Sequence, residues 1–142
     1  MSDDAAQGIL VDTNIFLRFL TGDDPAKAAA CRELFESAER KEVQLHTNDL
    51  ILAELVWTLR SFYRRPKEEI IGALRDIAGL SSLRIPRRAV LLAALDLYER
   101  FNVDFLDAYN TTDAQARGIS FICSYDAHYD RLGIKRVAPG KM

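Results

Sequence analysis

The sequence predicts an α/β fold, a parallel sheet covered by helices on both faces with a helical hairpin at its top. Three observations carry this prediction. Short apolar runs at 9–11, 43–46, 83–85 and 119–123 alternate with longer stretches of helical periodicity. Helices exceed what four or five short strands need, and the surplus falls in one block, about 49–79. The 142 residues, 49% apolar and 28% charged, suit one domain over 1–142 whose core needs no disulfide.

Ile9-Leu10-Val11 reads as a buried strand ending at Asp12. Residues 1–8 before it are acidic and polar and are expected to be disordered; they lack the basic start and apolar core of a secretory signal. Asn14 to Leu20 has helical composition, and Thr21-Gly22-Asp23-Asp24-Pro25 is a turn. There Asp24 caps the next helix and Pro25 fits its first turn. That helix carries Ala28, Cys31, Leu34, Phe35 and Ala38 at helical spacing and reaches about Lys41. Val43 to His46 is a second short strand. Thr47-Asn48-Asp49 caps a long apolar helix from Leu50 to about Arg64.

Pro66 opens another helix, with Glu68 and Glu69 in the first turn, where the helix dipole favours acids. It ends near Gly79 and completes the hairpin. Leu83-Arg84-Ile85 reads as a third strand, and Pro86 starts a helix to about Phe101. Asp104 caps a helix to Arg117, closed by Gly118. Residues 119–123 form the clearest strand after the first. A short helix at 127–132 and an extended Lys135-Arg136-Val137 complete the chain.

Net charge is −2, from 19 basic and 21 acidic side chains. That excludes a nonspecific basic coat for nucleic acid and leaves room for a local basic patch. No apolar run is long enough to span a bilayer. Cys31 and Cys123 have no metal-type spacing and read as reduced core residues of a cytoplasmic protein.

The informative feature is a set of acids inside apolar sequence. Asp12 follows Gly8-Ile9-Leu10-Val11, Glu54 lies within Leu50 to Trp57, Asp107 within Phe105 to Tyr109, and Asp126 follows Phe121 to Tyr125. A buried carboxylate without a partner is costly. Asp12 and Asp126 fall just past strand carboxyl ends, which in open parallel sheets line the ligand crevice. Helices carrying Glu54 and Asp107 could reach the same crevice. Four acids without an adjacent base call for cations, and hard oxygen donors suit Mg²⁺ or Mn²⁺.

Singly, each acid has a structural reading. Asp12 and Asp126 fit caps or turn positions, Glu54 could pair with Arg18 or Arg60, and Asp107 could support a cap at Asp104. The joint reading is stronger, because all four structural accounts would have to hold together.

At these residues the chain resembles a PIN domain, and within that superfamily a VapC-type ribonuclease toxin. Val11-Asp12-Thr13-Asn14 with Phe16-Leu17-Arg18 resembles the first family motif, and Leu52 to Trp57 the second. Asp104-Phe105-Leu106-Asp107-Ala108 resembles the third, and Ser124-Tyr125-Asp126 with Tyr129 the fourth. The resemblance runs from about Ile9 to Val137. Ser124 departs from it, standing where the family often has Thr.

The resemblance implies a three-layer α/β/α sandwich with a small helical subdomain, and a Mg²⁺- or Mn²⁺-dependent endoribonuclease. Asp12 and Asp107 would be primary metal ligands, with Glu54 and Asp126 completing the cluster. Asn14 and Ser124 would orient them; Asp104, by its own position as a helix cap, is a further candidate for a supporting role. It also implies a small antitoxin that blocks the acidic crevice, and a homodimer. Arg60, Arg64 and Arg65, interleaved with Phe62 and Tyr63, are candidate RNA contacts, since phosphates need such charges and unpaired bases stack on aromatics.

The rivals lack their signatures. A phospho-receiver needs an acidic pair after the first strand and a Lys after the last, and a haloacid-dehalogenase phosphatase needs an Asp where Asn14 stands. The remaining alternative is a PIN-fold binding protein without turnover, disfavoured by the presence of all four acids.

Overall fold

A computed structural model of the chain describes residues 7–141. The chain divides into two compact units, Met1–Pro86 and Arg87–Met142.

The first unit holds β1 (Gln7–Leu10), α1 (Thr13–Thr21), α2 (Pro25–Glu39), β2 (Val43–His46), α3 (Asp49–Ser61), α4 (Lys67–Ala78) and β3 (Leu83–Arg84). The strands pair in parallel in the order β1-β2-β3, with Ile9 opposite Leu45 and Leu45 opposite Leu83. Parallel pairing requires helical crossovers, which α1–α2 and α3–α4 supply. Local chemistry sets the helix starts. Asp24 accepts from the Lys27 N–H with Pro25 in the first turn, and Asn48 accepts from the Ile51 N–H. Gly22, at φ 64°, closes α1 with its N–H on the Arg18 carbonyl. Phe16, Leu45, Leu52, Leu55, Ile70 and Leu74 are fully buried and form the core of this unit.

The second unit holds α5 (Arg88–Arg100), α6 (Phe105–Ala116), β4 (Phe121–Cys123), a 3-10 helix (Ala127–Arg131) and β5 (Lys135–Val137). β4 and β5 pair in parallel, with Phe121 opposite Lys135. α5 and α6 pack on one another. Tyr98 meets Phe105 edge-on at 5.8 Å, and Asp113 is clamped by Arg87 and, at 3.0 Å, by Arg117.

Several boundaries and burials differ from the sequence reading. The N-terminal segment expected to be disordered lies outside the described residues except for Gln7 and Gly8, which open β1. In β1 Leu10 is 60% exposed, and Val11 just beyond it is buried. α5 begins at Arg88 rather than Pro86, with Arg87 at its cap. Cys31 is buried as expected, whereas Cys123 on the short β4 is exposed. Among the described residues no helix is long and apolar enough to cross a membrane.

Candidate active site

The sequence-marked acids fall into two pairs, one in each unit. In the first unit Asp12 is the N-cap of α1, and its Oδ1 accepts the Thr13 N–H at 2.8 Å. The Thr13 side chain is buried, and its hydroxyl donates to Glu54 Oε1 on α3, which packs against α1. Thr13 therefore ties both acids of this unit to one residue, its backbone to Asp12 and its side chain to Glu54. Asp12 and Glu54 are themselves exposed. That corrects the expectation that apolar neighbours bury them. Leu52, Leu55, Val56 and Leu59 form the inward face of α3, while Leu50, Glu54 and Trp57 share the outward one. Arg18, a possible partner for Glu54, instead pairs with Asp23 at 3.4 Å.

In the second unit Asp107 sits in the first turn of α6, three residues after the cap residue Asp104. Its carboxylate is 14% exposed, and its Oδ2 is buried with no hydrogen-bond partner. Burial, then the charge of Asp126, raise its pKa above the ordinary carboxylate range, with Asp104 adding to the rise. A hydrogen bond from the Tyr129 hydroxyl and the nearby His128 oppose the rise. That hydroxyl also accepts from Asn110 Nδ2 at 3.0 Å, so Asn110, Tyr129 and Asp107 form a short orienting chain. Burial is the first cause of a raised Tyr129 pKa.

Asp126 is the N-cap of the 3-10 helix, and its Oδ1 accepts the His128 N–H at 2.9 Å. Its own N–H donates to Ser124 Oγ at 2.9 Å, so Ser124 fixes the turn through backbone, as an orienting hydroxyl would. Asp107, Asp126 and His128 each offer a donor atom within 4.8 Å of the others. Sequence reading sets His128 aside, since it makes no metal pair with His46 by spacing and is not read as a catalytic base, and it misses Tyr129's hydroxyl and Asn110. The available signal was His128 two residues after Asp126, and Asn110 one helical turn after Asp107. It also took the acids to lack basic neighbours, whereas His128 lies 3.2 Å from Asp126. Asp130, half-exposed, pairs with Arg136 at 2.9 Å.

The remaining predicted residues are exposed. Asn14 lies in the first turn of α1. Arg60 is in the last turn of α3, and Arg64 and Arg65 follow in the loop before α4. Arg64 takes a left-handed conformation at φ 54°, and Arg65 pairs with Glu69 at 3.5 Å. Arg87 is engaged by Asp113.

The second unit's donor set fits a divalent cation. It joins hard carboxylate oxygens to a nitrogen, and one of those oxygens is buried and unpartnered within the protein.

The chain is 27% identical over 130 residues to a VapC ribonuclease of Aquifex aeolicus (strain VF5), covering 92% of this chain and 96% of the relative. Superposition on the crystal structure of Mycobacterium tuberculosis VapC20, a sarcin-ricin loop cleaving toxin, gives a TM-score of 0.41 at 18% identity. It covers 92% of this chain and 98% of that one. The PIN domain family matches residues 9–135, a span that contains all four acids. The chain belongs to the PIN domain family.

Proposed function

We propose that the chain is a metal-dependent endoribonuclease, the toxin of a toxin–antitoxin pair, acting on RNA phosphodiester bonds in the cytoplasm. The observation that carries this reading is the buried Asp107 Oδ2, which has no hydrogen-bond partner and lies near the charge of Asp126. Similarity to a curated VapC ribonuclease across nearly the whole length supports it. Because the family match spans both units, we read them as one PIN-like domain over 1–142.

In this reading the acids of each unit, Asp12 with Glu54 and Asp107 with Asp126, are the candidate ligands for Mg²⁺ or Mn²⁺. When bound, the cation supplies an activated water and neutralises charge on the leaving oxygen. The protein's part is to keep the acids aimed and charged. Thr13 holds Glu54, Tyr129 and Asn110 hold Asp107, and Ser124 fixes the turn that presents Asp126. Asp104 adds negative charge near Asp107, and Asn14 flanks Asp12. Arg60, Arg64 and Arg65 provide phosphate contacts that position RNA without reading its sequence. The expected protein partners are an antitoxin that covers the acids and a second copy of the chain. Large apolar side chains left exposed on and beyond α3, Leu50, Trp57 and Phe62, support protein contacts there.

The test is RNA cleavage with Mg²⁺ or Mn²⁺ by wild type, Asp12→Asn and Asp107→Asn. Both variants should stay folded and lose most activity, on the order of a hundredfold or more. Undiminished cleavage in EDTA, or by both variants, overturns the assignment. RNA binding without any cleavage points to the non-catalytic PIN alternative.

A further inference from the structure

We propose that His128 is a nitrogen ligand of the cation held by Asp107 and Asp126, and that it tilts the site toward Mn²⁺ over Mg²⁺. The inference rests on the metal-dependent reading above and adds a donor outside the four acids.

Geometry is the first support. His128 Nδ1 lies 3.2 Å from Asp126 Oδ1 and 3.8 Å from Asp107 Oδ2. Neighbouring donors on an octahedral cation with bonds of about 2.1 Å are roughly 3 Å apart, and opposite donors roughly 4.2 Å. The observed separations fall between these limits, so the nitrogen occupies a place a ligand could take without a large rearrangement.

The second support is what fixes the backbone that carries the ring. The His128 backbone N–H donates to Asp126 Oδ1, which turns the residue back over the carboxylate at the start of the 3-10 helix. The next residue, Tyr129, is buried and bonded toward Asp107, which pins the segment. The backbone at 126–129 is thereby held beside both carboxylates, and the ring stands with Nδ1 toward them. With the proton on Nε2, the Nδ1 lone pair faces both carboxylates. The third support is Asp107 Oδ2, buried with its lone pairs unused by the protein.

Selectivity follows from donor chemistry. Mg²⁺ takes oxygen donors and dehydrates reluctantly, whereas imidazole favours a transition-metal ion. Of the two ions expected here, Mn²⁺ is the one that gains from the nitrogen.

Pulsed EPR of Mn²⁺ bound to the full chain tests this directly. Wild type should show ¹⁴N modulation from a coordinated imidazole. His128→Gln should lose it, while His46→Gln should keep it. Mn²⁺ affinity should fall about tenfold in His128→Gln, with Mg²⁺ affinity changed by less than about threefold. The His128 side chain is 52% exposed, and a thermal melt confirms that the variant folds. Mn²⁺ bound without ¹⁴N coupling overturns the ligand role and leaves the nuclease reading standing. Absence of Mn²⁺ binding, together with RNA cleavage unaffected by Asp107→Asn, overturns both.

Discussion

Asp107→Asn should make the metal-free protein more stable while it damages the site. Asp107 and Asp126 offer donor atoms no more than 4.8 Å apart. Two like charges at that separation repel by about 3.5 kcal/mol at an effective dielectric of about 20, and by about 1 kcal/mol in water. The Asp126 side chain is 44% exposed and that of His128 52%, so the lower figure applies. Removing charge from the buried Oδ2 also relieves desolvation, by about 1 kcal/mol. Against this, the bond from Tyr129 weakens when its acceptor becomes neutral, by about 1 kcal/mol.

The net gain is about 1 kcal/mol, or a Tm rise of about 3 °C for a chain of this length. Thermal melts in EDTA at neutral pH measure it. A carboxyl whose folded pKa is raised binds its proton more tightly in the native state than in the unfolded one. Its contribution is full below the unfolded value and is lost as pH rises through the folded one. The advantage of Asn over Asp should therefore shrink in mild acid. Cation binding should favour wild type, by about 2.7 kcal/mol at a hundredfold excess over Kd, and help the variant less. A variant that melts lower in EDTA and responds to Mn²⁺ as wild type does would show that Asp107 is a structural acid satisfied by the protein.

Thr13→Val keeps the buried shape and removes the hydroxyl that holds Glu54. RNA cleavage should fall on the order of tenfold with the fold intact and recover in Thr13→Ser, and a fully active Val variant refutes the orienting role. Asp113, whose pKa is lowered first by its bond from Arg87 and then by Arg117, stabilises the α5–α6 pair. Asp113→Asn should cost about 1 kcal/mol at neutral pH. A lowered pKa gives stability that is present above the unfolded value and lost as pH falls through the folded one, so melts of the two proteins should converge in strong acid. A constant difference down to low pH sinks this account.

Features set by nearby residues were legible in the sequence. Asp24 before Pro25, Asn48 before the apolar run and Gly22 after Leu20 act within one turn of backbone, and each appears where local chemistry placed it. Burial of the acids was not legible, and α3 shows why. Its inward residues are apolar, but Leu50 and Trp57 on its outward face are apolar too, at 82% and 65% exposure. A helix apolar on both sides gives no amphipathic stripe, so Glu54 looked enclosed when it is exposed. β4 misled for a related reason, since an apolar, β-branched composition marks a strand without saying which of its faces is covered, and Phe121 is 47% exposed.

Asp107 is the acid for which the inference from costly burial holds, and its surroundings lay beyond any local pattern. His128 and Tyr129 reach it across some twenty residues of chain, through a 3-10 turn whose geometry Asp126 sets by accepting the His128 N–H. The acids announce the chemistry because carboxylates in apolar sequence are expensive. The groups around them are an ordinary His, Tyr, Thr and Asn. Each has an inexpensive role elsewhere in a protein, so only the folded arrangement separates an orienting residue from a solvated one. That is why the Thr13 and His128 substitutions discriminate more sharply than loss of an acid. Removing an acid disables any metal site, whereas removing one of these neighbouring groups disables only a site assembled in this way.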